Sequence, residues 1–400
     1  MDCPKDKGSE ATVACLPDDA LEGILSRLRA KPLSRFKCVS KGWCGLIADR
    51  LCCCKFPQTL AGFFNGGPGE KYGDFIDLSG RPVPLVDPTF SFLTKAPDIE
   101  KIVLLGSCNG LVLFGHRRVS DTYNSLGYIV CNPATEQWVT VPSSGWSTWD
   151  DGEDEENQGD VRVEVLDAYL IFDPSVSPHF QLVQVQLGAL NSLEEAHNFS
   201  SVTGAWKRHE GRSIVDKVWS KCGIYIDSTN SSVGCLFNGM LHLCSYCSSE
   251  ARNMIVGIDG EGKASKFICG PENCGLIVFM GQSQGLLYCV SVKDPFEMTE
   301  LSIWVLEDYD AEKWILNHNL SSSQLFGRMQ CSLISDVDVV AIHPYHGLVF
   351  FFQYRDMKLI SYDMDRKEVH DVCTLGHGCC RFVTPYVPYF AESALLAKKR

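Results

Sequence analysis

Two short units return along most of this 400-residue chain, and they constrain its fold more than any other feature. The first is a polar residue, a glycine and an aliphatic or aromatic run. It reads Asn109-Gly-Leu-Val-Leu-Phe114, Asn238-Gly-Met-Leu-His-Leu243, Gln284-Gly-Leu-Leu-Tyr-Cys289 and His346-Gly-Leu-Val-Phe-Phe351. Each predicts a turn entering a buried strand, because glycine supplies the positive φ that a tight hairpin needs. The second unit is strand, polar turn, strand, often with a tryptophan: Cys131-Asn-Pro-Ala-Thr-Glu-Gln-Trp138, Ser201-Val-Thr-Gly-Ala-Trp206, Gly257-Ile-Asp-Gly-Glu-Gly-Lys263, Tyr309-Asp-Ala-Glu-Lys-Trp314 and Tyr362-Asp-Met-Asp-Arg-Lys367. Its Asn-Pro, Thr-Gly and Asp-Gly pairs carry the backbone angles of tight turns.

Five copies recur about every 45 to 70 residues, a spacing that suits one four-stranded sheet per repeat. This predicts a β-propeller-like domain of about five to six blades over residues 58–390, with an irregular sandwich or barrel as the other all-β solution. A sixth blade is expected from residues 59–93 together with residues 382–390, since joining both chain ends removes free sheet edges.

The region before the repeats is helical instead. Leu21, Ile24, Leu25 and Leu28 recur at i, i+3, i+4 and i+7, one apolar stripe of a short helix. Pro17 is tolerated at its start, and Asp18 and Asp19 complement the positive end of the helix dipole. Gly23 inside it costs about 1 kcal/mol relative to Ala. Pro32 marks a second helix start, with Leu33, Phe36 and Val39 as its apolar face. Ser40 is a suitable N-cap for a third helix carrying Trp43, Leu46 and Ile47. Three helices in so few residues are too small to bury a sufficient core easily, so part of their apolar surface should be completed by a partner. The chain thus divides into a flexible N-terminus (1–15), a helical module (16–56), the all-β body (58–390) and a basic tail (391–400).

The stretch from Leu16 to Trp43, with its Leu-Pro opening, Ile-Leu-Ser-Arg-Leu run and Phe-Lys-Cys-Val-Ser-Lys-Gly-Trp close, resembles the plant-type F-box. The body resembles the F-box-associated, kelch-like domain of plant F-box proteins through 106–112, 132–138 and Tyr386-Val-Pro-Tyr-Phe-Ala-Glu-Ser-Ala394. The resemblance implies a substrate-recognition subunit of an SCF-type cullin-RING ubiquitin ligase, without catalytic residues of its own. It implies docking on a Skp-type adaptor through Leu16, Pro17, Leu21, Ile24, Leu25, Leu28, Phe36, Val39 and Trp43, some of which must form the module's own core. The β domain would bind an unidentified protein substrate. A scaffold outside any ligase, and a propeller enzyme or small-molecule sensor, are the alternatives. The last would need convergent polar or metal-binding side chains around the channel, and the sequence shows no such set.

Charge and cysteine content narrow the partners. Net charge is −13, yet residues 16–50 hold seven Lys/Arg against four Asp/Glu, so the body is strongly acidic. An acidic body disfavours nucleic acid as the partner, because phosphate neutralisation dominates that affinity. No apolar run is long enough to span a membrane, and the N-terminus has no apolar core of a secretory signal, so a cytoplasmic or nuclear chain is expected. The twenty cysteines then read as free, mostly buried thiols packing as small hydrophobes. His242, Cys244 and Cys247 outline a metal half-site, but no second pair accompanies them, so neither metal nor cofactor is expected. Gly106-Ser-Cys-Asn-Gly110 lacks the Lys-Ser/Thr ending of a phosphate loop and reads as a strand-entry turn. Seven acids and no base within 150–160 read as a solvated loop, with Trp146 and Trp149 before it as candidate partner contacts. Lys398, Lys399 and Arg400 are too short a run to be read as more than solvated charge.

Overall fold

A computed structural model of the chain describes residues 17–25, 36–47, 59–65, 74–78, 86–94, 99–118, 127–145, 168–187, 193–209, 224–225, 234–247, 252–261, 264–293, 300–327, 336–375, 383–391, 393 and 395–396. The 150–160 acid run, Trp146, Trp149, Leu16, Leu28, Leu33 and the basic residues 398–400 lie outside them. The chain forms two compact units, Met1–Pro57 and Gln58–Arg400.

In the first unit, helix α1 (Asp18–Leu25) starts where Pro17 allows, with the Pro17 carbonyl accepting the Leu21 N–H at 3.0 Å. Helix α2 (Lys41–Leu46) is capped as expected: the Ser40 hydroxyl accepts the Trp43 N–H at 3.1 Å. The middle predicted helix falls mostly outside the described residues; its end at Phe36 runs into a turn over 37–39.

The second unit is a six-bladed β-propeller. Its blades are β3–β6 (Ile99–Cys108, Leu111–Arg118, Gly127–Asn132, Gln137–Val141), β7–β10 (Ala168–Phe172, Phe180–Leu187, Leu193–Ser200, Ala205–His209), β12–β15 (Gly234–Phe237, Met240–Cys247, Arg252–Ile258, Ala264–Cys269), β16–β19 (Leu276–Ser283, Leu286–Val292, Glu300–Asp308, Lys313–Ser321) and β20–β23 (Val337–Ile342, Leu348–Gln353, Lys358–Asp363, Glu368–Thr374). A short β11 (Ile224–Tyr225) extends the third of these against β13. The sixth blade joins the chain ends, as expected. Its inner strand is β24 (Val383–Tyr386), followed outward by β1 (Gly62–Asn65) and β2 (Asp74–Asp77), all antiparallel. β24 lies between the innermost strands β20 and β3 and completes the ring.

The alternation of side chains along strands makes every blade a two-sided wall. On β4, Leu111 and Leu113 pack toward the following blade, and Val112 and Phe114 toward the preceding one. On β21, Val349 and Phe351 face back toward β16–β19 while Phe350 and Phe352 face the closing blade. Six buried clusters result, one between each pair of neighbouring blades. This is why the strands read as near-continuous apolar runs rather than clean alternations.

The two sequence units occupy fixed places in each blade. The glycine unit joins first and second strands: Asn109/Gly110, Asn238/Gly239 and Gln284/Gly285 all have positive φ, giving two-residue turns between Cys108 and Leu111, Phe237 and Met240, and Ser283 and Leu286. The fourth copy differs. Residues 343–348 form a longer loop organised by His343, whose Nδ1 accepts the N–H of both Tyr345 and His346 at 3.1 Å. The polar unit joins third and fourth strands. The residue that opens the turn caps it with a side-chain oxygen every time: Asn132 to Ala134 N, Ser200 to Val202 N, Asp259 to Glu261 N, Asp308 to Asp310 N and Asp363 to Asp365 N, all 2.9–3.3 Å. Antiparallel strands put both kinds of turn on one face of the propeller, the turn face.

The C-terminal segment crosses that face. Tyr386 is fully buried beneath the first blade, and the Pro385 carbonyl accepts the Ser107 hydroxyl. The Tyr389 carbonyl accepts Asn132 Nδ2 at 2.8 Å, and Ser393 N donates to Gln137 Oε1 at 3.0 Å. Leu396, at 1% exposure, joins the cluster between the first two full blades. The packed domain therefore continues past residue 390, into what the sequence reading gave to the tail, because this segment carries apolar anchors that the turn face can bury.

Candidate functional site

The helical module sorts its apolar residues into two groups. Leu21, Leu25 and Ile47 are buried and form its core, with Phe36, Trp43 and Leu46 packed against them; the Phe36 and Trp43 rings lie 5.5 Å apart. Ile24 is 54% exposed and Val39 58%, and Pro17 is exposed as well. Of the residues expected to meet a partner, Leu25 and Leu21 therefore support the module from inside, while Pro17, Ile24 and Val39 are presented to solvent. The helical period explains the division: Leu21 and Leu25 are one turn apart on the inner face, and Ile24 sits at its margin. Leu16 and Leu28 belong to the same set and lie outside the described residues.

In the propeller, His242 of the candidate metal half-site is held by other partners, and the Cys247 side chain lies outside what the structure describes. His242 and Cys244 share a face of β13, as predicted, but both ring nitrogens of His242 are engaged. Nδ1 lies 3.1 Å from the Met240 carbonyl and Nε2 2.8 Å from the Tyr309 hydroxyl. A carbonyl only accepts, so Nδ1 carries the proton and Nε2 accepts from Tyr309. Burial pushes this imidazole down to about 4, which keeps it neutral and structural. Cys244 packs with Ile255 and Cys289 between two blades. Among the described residues no group of three or more His, Cys, Asp or Glu is placed to hold a metal ion.

Six thiols of the propeller are equally unreactive. Burial pushes Cys108 and Cys235 up to about 12 and raises Cys131, Cys274, Cys289 and Cys373 as well, so they stay protonated and poorly nucleophilic. The described cysteines are free thiols, and Cys131, Cys244, Cys274 and Cys289 are buried. These four fill space between blades as small hydrophobes, whereas Cys108, Cys235, Cys269 and Cys373 are half-buried and Cys38 and Cys44 of the helical module are exposed, so the described thiols are less uniformly buried than expected. Gly106–Gly110 is the end of β3 and its turn, not an anion cradle.

The functional reading of the sequence thus rests on surfaces. A small helical module with exposed aliphatics precedes a six-bladed propeller, an architecture for joining partners. Residues 13–55 match the F-box domain family, and residues 76–375 match the family described as F-box protein At3g26010-like, beta-propeller. The chain belongs to this family of plant F-box proteins with a C-terminal propeller. Among similar Arabidopsis thaliana proteins, F-box protein At5g07610 is 24% identical over 339 residues, covering 79% of this chain and 73% of the relative. F-box protein At1g71320 is 30% identical over 355 residues, covering 77% and 83%.

Proposed function

We propose that this chain is the target-receiving subunit of an SCF-type cullin-RING ubiquitin ligase, with its helical module docked on a Skp-type adaptor and its propeller holding a protein target. The observation that carries this reading is the exposure of aliphatics on the module: Ile24 and Val39 stand in solvent beside a core that, among the described residues, is Leu21, Leu25 and Ile47. Burying one such side chain against a partner gains about 1.5–3 kcal/mol, and a few anchors of this kind dominate an interface.

The chain would perform no covalent step. Tethering the target beside a ubiquitin-charged enzyme raises the effective concentration of its lysines, which converts a bimolecular encounter into a local one. The protonated buried thiols and the neutral, hydrogen-bonded His242 are structural parts of the propeller interior, which supports a receptor that works through its surface.

Co-purification of the intact chain with a Skp-type adaptor and a cullin tests the reading. Wild type should bring down both, and a chain lacking residues 1–57, or a Leu16→Ala/Pro17→Ala double variant that circular dichroism shows to be folded, should bring down neither. A folded wild-type chain that fails to bind the adaptor overturns it.

A further inference from the structure

Asn-Gly pairs stand at 65–66, 109–110 and 238–239. The last two fill the same two-residue turn in their blades, with positive φ at both positions, and the fold treats them oppositely. Asn109 Nδ2 donates to the Phe172 carbonyl at 2.7 Å, and Gly110 is buried where a Cβ would collide with the Tyr389 backbone. The side-chain amide and the glycine nitrogen that follows it are therefore both held. Asn238 and Gly239 are exposed instead, and a Cβ on Gly239 would meet nothing within 4 Å. Among the described residues no hydrogen bond engages the Asn238 amide, and the ladder pairs Phe237 with Met240, which leaves the Gly239 N–H outside it. Asn65 is buried on β1, and its glycine lies outside the described residues.

The Gly239 nitrogen and Asn238 Cγ close a five-membered ring when they meet, so their reaction is intramolecular and needs no catalyst. Glycine makes it easiest, because no Cβ bars the approach and the backbone turns freely. The turn has to loosen for the two atoms to meet. At 238–239 the open surroundings allow it. At 109–110 the bond to the Phe172 carbonyl and the Tyr389 backbone stand against it.

We propose that Asn238 is a self-modification site, which deamidates through a cyclic imide while Asn109 keeps its amide. The bond from Gly239 N to Asn238 Cγ forms, the Cγ–Nδ2 bond breaks, and the amide leaves as ammonia with the proton from Gly239 N. Water then opens the imide. Cleavage of the new N–Cγ bond leaves aspartate, and cleavage of the N–C bond leaves isoaspartate, whose main chain runs through Cβ and Cγ. Both products put a carboxylate on the turn face. Isoaspartate also lengthens the main chain between Phe237 and Met240, which a two-residue hairpin absorbs only by shifting β12 against β13. The chain thus changes charge and shape at this turn with time, and faster as pH rises, because the attacking nitrogen must lose its proton.

Ageing of the intact chain in mildly alkaline buffer, followed by peptide mapping with tandem mass spectrometry, is the test, with the urea-denatured chain as control. In the folded chain the peptide holding Asn238 should gain the mass of an amide turned acid at least about tenfold faster than the peptide holding Asn109. In urea the two rates should converge, since both are then plain Asn-Gly pairs. The acidic charge variant that ageing produces on isoelectric focusing should be missing from Asn238→Gln, whose longer side chain would have to close a larger ring. A folded chain in which Asn238 and Asn109 convert at the same rate, or in which Asn238 keeps its amide while the denatured chain loses it, overturns the proposal.

Discussion

Single residues carry much of the turn face, and the glycines show how. Gly110 and Gly239 occupy the same turn position, with φ of +94° and +72°. A Cβ on Gly239 meets nothing within 4 Å, whereas one on Gly110 would collide with the backbone of Tyr389. Gly239→Ala should therefore cost about 1–2 kcal/mol, the strain of the left-handed conformation alone. Gly110→Ala should cost clearly more, because it also displaces the C-terminal segment. Denaturant titration of both variants reads the difference, and equal costs would contradict the close approach. The asparagine-glycine pattern was legible in the sequence; the approach of Tyr389 was not, because it joins residues far apart in the chain.

His343 gives a second test at this scale. Burial, with a smaller contribution from His346, holds its imidazole down to about 4 against an ordinary 6.5, and His242 behaves alike. The unfolded chain then takes up protons first as pH falls. The stability these groups contribute is complete above pH 6.5 and is lost between 6.5 and about 4. His343→Asn keeps an oxygen that can accept the two loop N–H groups and removes one titration. Its stability should fall less steeply than wild type over that window in pH-resolved denaturation, and an unchanged slope would contradict the assignment.

At the scale of elements, the fourth strands explain the tryptophans. Trp206 and Trp314 both stand second in the outermost strand of a blade, and each donates its indole N–H at 2.8 Å to a carbonyl at the end of the preceding blade's outermost strand, Pro142 and Cys269. Each is a clasp between neighbouring blades. Trp314→Phe keeps the ring and loses the hydrogen bond, so it should cost about 1 kcal/mol, and Trp314→Ala about 3–5 kcal/mol. A thermal series over both variants checks this order. The recurring tryptophan was visible in the sequence, but its target was not. Likewise, an Asn, Ser or Asp opens all five polar turns, a capping signal present in the sequence that composition of the turn alone does not reveal.

For the whole molecule, closure decides stability. Period and turn chemistry predicted the blades because each is a local hairpin pair. They also placed the sixth blade at the chain ends, since β24 must cover an edge that β1 would otherwise expose. What the pattern missed is the run from Tyr389 to Leu396, whose apolar residues carry no strand period. A chain ending at residue 381 loses β24 and the segment that crosses the turn face together and should aggregate or melt far below wild type, whereas one ending at residue 396 should match it. Tyr386→Ala should cost about 3–5 kcal/mol, as expected for a fully enclosed aromatic. In the helical module, by contrast, residue spacing named the apolar set but could not divide it, because buried Leu21 and Leu25 and exposed Ile24 share one short helix.

That division is the most direct point at which to test the account. Isothermal titration of the intact chain with a purified Skp-type adaptor should compare wild type, Ile24→Asp and Val39→Asp. The account predicts that both variants keep the wild-type circular dichroism and thermal melt, since the altered side chains are exposed, yet lose at least about tenfold in affinity. Wild-type affinity in both variants would mean that the exposed aliphatics are not the docking face, and the proposed assembly would not stand on this surface.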